Sequence, residues 1–387
     1  MSKVRMLHII EATTAGVRRY LTQLLRGRPD SWQVAVACPT TRETHFGDVA
    51  FVDSLKSLGV PVHLLPLRRS ISLADVLVAR ALLRMVRRDR FDLIHTHSSK
   101  AGFIGRLVAK AVGIPVIHTP NGLYFLEQTG FKRWFYLALE RLAGRATTGL
   151  IAVSEGERDI MIQYGLAPRG RVTLIENGVD AATVRDQAEA VEAAWLRHSL
   201  GLNGDEPVIG GAGRMAPQKD PLSFVRAAHQ VAQSTPKARF VWCGDGELRL
   251  AVEDLARRLN VPLTVTGHLE NAWAVMRLFD VFVLPSLYEG LPFTLLEAMA
   301  LGVPVVATDV VGTRDVLSGE EAGWLVAPRD ALSLARTICG VLAQPAEASR
   351  RVAAAKRLME TRFSIDRMIA AHHELYVRVI HATGRQP

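Results

Sequence analysis

The sequence lacks any long hydrophobic segment. Its 387 residues contain no stretch of about 18 consecutive apolar residues, so we expect no membrane-spanning helix. The apolar run at residues 6–10 is too short for a secretory signal peptide and instead predicts a first β-strand.

Cysteine is scarce as well. The three cysteines, Cys38, Cys243 and Cys339, lie in or near apolar runs and have no metal-like spacing. This excludes a small secreted fold framed by disulfides. It predicts reduced, buried thiols in a cytosolic protein.

Length and composition fit an α/β protein of two domains. The chain is 49% hydrophobic and 6% aromatic, and 387 residues are many for a single core. Short apolar runs alternate with helical patterns, which predicts doubly wound parallel sheets. The predicted strands are 4–10, 32–38, 61–65, 92–96, 114–119, 149–153, 172–175, 207–212, 238–243, 262–266, 280–284, 303–307 and 323–326. The predicted helices include 16–27, 73–89, 99–112, 131–145, 155–164, 220–233, 247–259, 271–278, 294–301, 312–318, 330–343, 346–360 and 364–381.

The joint between the two predicted domains lies near residues 178–206. A helical stretch at 181–200 leads through Gly201 and Pro207 into a new strand. We therefore expect a first domain over 1–180 and a second over 181–363.

Two glutamates eight residues apart, Glu289 and Glu297, form the most informative motif. Glu289 follows a buried-strand pattern, and Glu297 lies about two turns into the helical pattern after Pro292. Gly290 permits close approach of the backbone to a ligand. The free N–H groups of a helix start favour an anion. This combination suits a phosphate joined to polyols, as in a nucleotide-sugar.

A second motif supplies positive charge. Arg214 and Lys219 follow a Gly-rich turn at the carboxyl end of the strand predicted at 207–212. Cations at such a strand end are placed to neutralise a diphosphate.

The order and spacing of these motifs resemble a known family. The chain is similar to the retaining GT-B glycosyltransferases of family 4, which build polysaccharides and glycolipids, over nearly its whole length. The matching segments are Glu176-Asn177-Gly178-Val179-Asp180, Gly213-Arg214…Lys219, Gly244-Asp245-Gly246-Glu247 and Pro285-Ser286…Glu289-x7-Glu297-Ala298.

The resemblance implies a fold and a donor site. The fold is two Rossmann-like domains facing across a cleft, the first on the acceptor side and the second binding the nucleotide-sugar, with a C-terminal helix of about 364–383 crossing back to the first domain. Glu297 would hold the ribose, Glu289 the transferred sugar, and Arg214 and Lys219 the diphosphate. The donor-binding set also includes Gly290 and the amides of Leu291 and Phe293.

No metal or cofactor is expected beside the nucleotide-sugar substrate. Fixed cations can stabilise a departing diphosphate without a metal ion. The sequence also contains no Asp-x-Asp motif, which the metal-dependent GT-A transferases usually carry.

Two loops of the first domain depart from the family pattern. The Gly-rich turn after the first strand retains Gly16, which would lie beside the donor phosphates or the acceptor. Many relatives read His-Thr-x-His-Gly where this chain has residues 118–122, so Asn121 replaces the histidine that contacts the transferred sugar. Asparagine can bond a hydroxyl but cannot titrate. In a retaining reaction the departing phosphate can take the acceptor's proton instead.

Three more residues are candidates for the acceptor side: His97, Lys100 and His118, the last with a structural role as its alternative. A zinc site from His95, His97 and His118 is a further alternative. No cysteine or acid nearby completes it, so no metal site is predicted.

Charge is distributed unevenly. Residues 1–180 carry 25 Lys and Arg against 15 Asp and Glu, whereas residues 181–387 carry 22 against 23. The basic first half fits an anionic membrane surface, a lipid-diphosphate acceptor or nucleic acid. A basic surface without a partner is the alternative.

The segment 131–141 mixes aromatic and cationic residues at helical spacing. Such a helix can lie in a bilayer interface. It can also be a core helix with a basic outer side.

We therefore expect a cytoplasmic enzyme that touches the inner face of the membrane. It would move a hexose from a UDP- or GDP-sugar to a lipid-linked or glycan acceptor, with retention, in exopolysaccharide or other surface-glycan synthesis.

Asn121 leaves open a nucleotide-sugar-binding protein without transfer activity, and a donor-hydrolysing epimerase is a weaker alternative. The pI near 9.8 suggests a nucleic-acid-modifying glucosyltransferase. No aromatic platform supports that alternative, and no nucleic acid partner is expected.

Overall fold

The computed structural model describes residues 4–13, 15–39, 45–67, 74–202, 204–319 and 321–382. It divides the chain into two compact units. One comprises the residues up to Asn177 together with those from Asp366 onward, and the other is Gly178–Ile365. Within the described ranges, no helix combines the length and the apolar character that crossing a membrane requires.

The first unit is built on a seven-stranded parallel sheet in the order β3-β2-β1-β4-β5-β6-β7. Its strands are β1 (Val4–Ile9), β2 (Trp32–Pro39), β3 (Val62–Leu65), β4 (Leu93–His97), β5 (Val116–Thr119), β6 (Gly149–Ala152) and β7 (Val172–Leu174). The helices between them are α1 (Ala15–Arg26), α2 (His45–Ser57), α3 (Ala74–Asp89), α4 (Ser99–Val112), α5 (Gly130–Gly144) and α6 (Glu155–Gln163).

The second unit contains a six-stranded parallel sheet in the order β10-β9-β8-β11-β12-β13. Its strands are β8 (Val208–Ala212), β9 (Arg239–Cys243), β10 (Leu263–Gly267), β11 (Val281–Leu284), β12 (Val305–Thr308) and β13 (Trp324–Val326). Its helices are α7 (Ala181–Glu189), α8 (Ala193–Ser199), α9 (Pro221–Ser234), α10 (Arg249–Arg258), α11 (Trp273–Met276), α12 (Phe293–Leu301), α13 (Val311–Leu317), α14 (Ala331–Ala343) and α15 (Pro345–Thr361).

Several strands are apolar along their whole length, as expected for a sheet that helices cover on both faces. Every residue of β8, β11 and β12 is buried, because helices cover both faces of a parallel sheet. The core of the second unit gathers residues such as Phe224, Phe240 and Trp242. The predicted pair of doubly wound parallel sheets is confirmed.

The last helix, α16 (Ile365–Ala382), returns to the first unit. Its Tyr376 packs against Trp32 of β2 with ring centroids 5.0 Å apart. Its buried face also includes Met368, Leu375 and Val379. The predicted return of the C-terminal helix to the first domain is thus confirmed.

The helical stretch predicted at 181–200 proved to be two helices. It breaks between α7 and α8, where Glu192 adopts an extended backbone. Side chains of the second unit hold the break, since Arg277 donates to the Val191 carbonyl and Asn271 donates to that of Gln187 at 2.9 Å. Side-chain bonds to the peptide groups offset the backbone bonds that a continuous helix would have made.

Candidate functional site

In the second unit, two loops begin side by side at the carboxyl ends of neighbouring strands. Strands β8 and β11 pair in parallel, with Ile209 opposite Val281. The loops that follow them carry Arg214 and Lys219 on one side and Glu289 on the other. The carboxyl edge of an open α/β sheet is where ligands bind.

An ion pair joins these loops. The Lys219 ammonium lies 2.5 Å from Glu289 Oε1, and the two side chains are 15% and 6% exposed. The Ser286 hydroxyl donates to the same carboxylate oxygen at 2.6 Å. The carboxylate is therefore fixed by two donors, one charged and one neutral.

Two hydrogen bonds join the backbones of the two loops, one directly and one through the Gln218 side chain. The Leu287 amide donates to the Gln218 carbonyl at 2.8 Å, and the Gln218 side-chain amide donates to the Tyr288 carbonyl at 3.1 Å. Lys219 and Glu289 are thus each one residue away from an interloop hydrogen bond. These hydrogen bonds fix the backbone next to both residues and so keep the two side chains close together.

Asp220 sets the direction of the chain after Lys219. Its backbone is left-handed, with φ 42°, and its carboxylate caps α9 by accepting from the Ser223 hydroxyl at 2.6 Å and the Ser223 amide at 3.3 Å. Sequence reasoning missed this residue. The signal was present, since Asp before Pro221 is a typical helix start.

Arg214 presents its side chain to solvent. Among the described residues its guanidinium has no hydrogen-bond or ion-pair partner, and the residue is exposed. The loop beneath it is tightly supported, because the Met215 amide donates to the Asp245 carbonyl at 2.8 Å. A Cβ at Gly244 would lie 2.1 Å from the Gly213 carbonyl oxygen, so only glycine fits there.

Helix α12 carries the second glutamate. Glu297 lies four residues after Phe293, the first residue of α12, so it is about one turn into the helix rather than the two turns predicted. The helix begins directly after Pro292, which shortens the loop. Glu297 is only 1% exposed and takes part in a polar contact, so it is neither a free surface acid nor an isolated buried charge.

The loop between the glutamates is enclosed by a neighbouring helix. Gly312, in the first turn of α13, leaves room for the Gly290 carbonyl oxygen, which would lie 2.1 Å from an added Cβ. The Leu291 and Phe293 side chains are buried, at 4% and 7% exposure. Both residues therefore anchor the start of α12 through their side chains.

In the first unit, Asn121 occupies a strained turn after β5. Its backbone is left-handed, with φ 56°, and its side-chain amide donates to the Thr119 carbonyl at 3.2 Å. The next amide, that of Gly122, donates to Glu157 Oε1 at 3.1 Å. Asparagine tolerates this backbone better than most residues.

Glu157 is a supporting residue that sequence reasoning missed. It is 3% exposed, and its second carboxylate oxygen accepts from the Val153 amide at 2.8 Å. It therefore ties the turn after β5 to the turn after β6. The signal was the Ser154-x-x-Glu157 pattern of a helix start, and the Ser154 hydroxyl does accept from the Glu157 amide at 3.2 Å.

Gly16 and Lys100 occupy helix starts. Gly16 is an exposed residue in the first turn of α1. Lys100 is in the first turn of α4, where its amide donates to Glu11 Oε2 at 3.1 Å. The Lys100 ammonium forms an ion pair of 2.5 Å with Asp75 and is 10% exposed. Contact of Lys100 with an acceptor stays a prediction.

The histidines at the strand ends are buried. His97 and His118 are both 0% exposed. His118 Nδ1 lies 2.9 Å from the Thr96 hydroxyl, and His97 Nε2 lies 3.0 Å from His8 Nδ1. Burial lowers the pKa of both imidazoles well below the ordinary value. The sequence predicted no metal site, and the three histidines that it considered as a zinc alternative do not cluster as a set: His8 rather than His118 lies with His95 and His97.

Two family models match the chain. Residues 15–178 match the model described as glycosyl transferase 4-like domain, and residues 206–344 match the model described as glycosyl transferases group 1. Together they cover most of both units.

Curated relatives match over most of their own length. One is the UDP-Gal:alpha-D-GlcNAc-diphosphoundecaprenol alpha-1,3-galactosyltransferase of Escherichia coli, 32% identical over 85% of both chains. Another is the putative glycosyltransferase EpsD of Bacillus subtilis, 27% identical over 81% of this chain and 83% of its own.

Solved structures share the fold. HepE from Anabaena, crystallised with UDP, superposes with a TM-score of 0.80 at 20% identity, covering 97% of this chain and all of that one. Sucrose-phosphate synthase from Thermosynechococcus elongatus superposes with a TM-score of 0.79 at 21% identity, covering 98% and 100%. The motifs, the two parallel sheets and these matches agree, and the chain therefore belongs to the GT-B glycosyltransferases of the family 4 type, which transfer a sugar from a nucleotide-sugar.

Proposed function

We propose that this glycosyltransferase moves a hexose from a UDP- or GDP-sugar to a lipid-linked acceptor in exopolysaccharide or other surface-glycan synthesis, with retention of anomeric configuration. The observation that carries the proposal is the Lys219–Glu289 ion pair beside the exposed Arg214, at adjoining strand ends of the second unit. Two cations and one carboxylate close together suit a diphosphate joined to a sugar.

The diphosphate would bind Arg214 and Lys219. Arg214 is exposed and can form two parallel hydrogen bonds to phosphate. Lys219 would exchange its contact with Glu289 for a phosphate oxygen. Charge grows on the departing diphosphate in the transition state, so these cations would contribute most when the bond to the sugar breaks. They supply the charge that a metal ion supplies in other transferases, and the proposed reaction needs no added metal or cofactor.

Glu289 would then be free to contact the sugar. Its carboxylate keeps the Ser286 hydroxyl as a donor at 2.6 Å, which holds it in place when Lys219 moves. Glu297 would accept hydrogen bonds from the ribose hydroxyls. The amides of Leu291 and Phe293 lie where α12 starts, and they would donate to the phosphate.

Transfer with retention can proceed without a titrating residue at position 121. The bond from the anomeric carbon to the diphosphate oxygen breaks, and the acceptor oxygen bonds that carbon on the same face. The acceptor's hydroxyl proton passes to the departing phosphate. Asn121, whose side chain is half-buried on its turn, would only bind a sugar hydroxyl.

The acceptor is inferred from the relatives. The Escherichia coli relative acts, by its name, on a sugar joined through a diphosphate to undecaprenol, with UDP-Gal as donor. A lipid-diphosphate acceptor is anionic and bound to a bilayer, which suits the net charge of +10 in residues 1–180.

Helix α5 gives the first unit an aromatic surface. Phe131 is 75% exposed and Trp134 is 63% exposed, and among α5 residues only Ala143 and Gly144 are buried. This favours the interface interpretation over a core helix. Arg133 and Arg141 are less available than the sequence suggested, because they donate to the Tyr164 hydroxyl at 2.6 Å and the Tyr164 carbonyl at 2.7 Å. We propose that α5 rests on the anionic inner face of the cytoplasmic membrane.

A donor and acceptor panel tests the function. UDP-galactose, UDP-glucose, UDP-N-acetylglucosamine and GDP-mannose are each incubated with the protein and a short polyprenyl-diphosphate-sugar, and the products are separated by mass. We expect one donor to dominate, and NMR of the product to show the anomeric configuration of that donor. Donor binding without any product would favour the non-transferring alternative, and an inverted product would contradict retention.

A further inference from the structure

Three histidines of the first sheet meet beneath helix α16. His8 lies on β1 directly opposite His95 of the neighbouring strand β4. His97 is two residues further along β4, so its side chain points to the same face as that of His95. All three are 0% exposed.

Their ring nitrogens are close enough to share one ligand. His8 Nδ1 and His97 Nε2 are 3.0 Å apart. Taking one nitrogen from each histidine, all three nitrogens lie within 4.8 Å of one another. Metal–nitrogen bonds of about 2.0–2.1 Å in a tetrahedral site would separate these nitrogens by roughly 3.3–3.4 Å. The observed separations, from 3.0 Å to at most 4.8 Å, bracket this spacing.

Two nitrogens of this cluster lack a partner. Within the described part of the chain, His8 Nε2 and His97 Nδ1 are buried and form no hydrogen bond. In each ring this is the other nitrogen from the one at the 3.0 Å contact, so an ion bound at that contact leaves it as the outer N–H group.

Outer hydrogen bonds already orient His95. Its Nδ1 lies 2.5 Å from the Tyr376 hydroxyl of α16, and its Nε2 lies 2.8 Å from the Thr119 hydroxyl. Binding through one nitrogen leaves the other bonded, as is usual for histidine ligands.

We propose that His8, His95 and His97 bind one transition-metal ion of the zinc type, and that this ion strengthens the packing of α16 on the first sheet. Imidazole ligands suit zinc, copper and nickel, whereas magnesium and calcium prefer oxygen. The residues belong to the first unit and take no part in the proposed donor site of the second. The ion would be structural.

Metal titration of the whole protein tests the site. The chain is stripped by dialysis against a chelator and titrated with Zn²⁺, and separately with Co²⁺ as a coloured substitute. We expect one ion per chain, a higher melting temperature with zinc, and the strong visible absorption of four-coordinate cobalt. No binding, or only the weak absorption of six-coordinate cobalt on surface groups, would overturn the proposal.

Variants locate the ion. His8→Asn and His97→Asn are each expected to weaken zinc binding by at least about 100-fold, the upper end of the loss seen when outer partners are removed. His118→Asn is the matched control, because His118 is also fully buried and also has an unpartnered nitrogen, Nε2. Unchanged binding in His97→Asn, or an equal loss in His118→Asn, would contradict the assignment.

If the histidine variants do not fold, a less disruptive variant can still test the site. Tyr376→Phe removes only the hydroxyl next to His95 and keeps the ring packed against Trp32. Zinc binding is expected to weaken by about 10- to 100-fold. Wild-type affinity in this variant, with a wild-type cobalt spectrum, would remove Tyr376 and α16 from the proposal.

Discussion

Lys219 and Glu289 meet across two loops that are 70 residues apart in sequence, with Nζ and Oε1 separated by 2.5 Å. Each would contact a different part of the same donor, the phosphate for Lys219 and the sugar for Glu289. In the ligand-free protein the pair neutralises both charges. Donor binding would replace this contact with two new ones, so the pair keeps both side chains near their working positions.

Glu289→Gln is expected to lower turnover by about 100-fold or more, since loss of one well-placed group in an active site has that effect. UDP binding should not weaken, because the substitution removes a counter-charge from Lys219. Rates are measured with the donor found in the panel, and UDP binding by calorimetry. Glu253→Gln, which removes an exposed carboxylate paired with Arg249, is the control. Turnover of Glu289→Gln within about threefold of wild type, less than about 1 kcal/mol, would exclude Glu289 from the mechanism.

Arg214→Ala and Lys219→Ala should weaken binding of the nucleoside diphosphate more than that of the nucleoside. Each deletes a charge-assisted contact to phosphate worth about 1.5–3 kcal/mol. Calorimetric titration with both ligands measures the difference. Arg257→Ala, at an exposed cation on α10, should change neither affinity. Equal losses for both ligands would show that Arg214 and Lys219 do not face phosphate.

Asp220→Ala is expected to destabilise the second unit by about 0.5–2 kcal/mol through loss of the α9 cap. It should also weaken diphosphate binding, because Lys219 is the preceding residue. Asp220→Asn is the control, since asparagine can cap and tolerates the left-handed backbone at φ 42°. Urea denaturation and calorimetry check both effects. An Ala variant as stable as the Asn variant would mean that the cap contributes little.

Transfer is expected to continue in EDTA without added magnesium or manganese, because in the proposed mechanism Arg214 and Lys219 would supply the positive charge near the diphosphate. The initial rate is measured with and without chelator. Loss of activity restored by magnesium or manganese would contradict metal independence. Loss restored only by zinc would instead implicate the histidine site of the first unit.

Binding to vesicles should depend on α5. Wild type is expected to float with vesicles that contain anionic lipid at low salt. It should float much less at high salt, since each Lys or Arg contributes about 1 kcal/mol and salt screens the attraction within about 10 Å. A variant with Phe131→Ser, Lys132→Gln and Trp134→Ser should lose most of this binding. Trp195→Ser is the control, because Trp195 is also 62% exposed but lies in the second unit. Equal flotation of the triple variant and wild type would place the membrane contact elsewhere.

Much of the fold could be predicted from local patterns. Short, mostly apolar runs predicted the thirteen strands that the described residues form, to within two residues at each end, because a strand covered on both faces is largely apolar. Some helix starts follow capping residues, such as Asp330, whose carboxylate accepts from the Ser333 amide at 2.9 Å. The break between α7 and α8 was not predictable, because distant side chains hold it.

The sequence by itself determined the family, the two parallel sheets and the candidate donor residues, since these follow from spacing along the chain. Only the tertiary structure decided which side chains meet. It paired Lys219 with Glu289, buried Glu297, joined Asn121's turn to Glu157, and put His8 rather than His118 beside His95 and His97. The physical reason is that the order and register of the parallel strands decide which strand ends lie side by side and which side chains share a face. Strand order and register depend on residues far apart in the chain, so the local sequence pattern does not encode them.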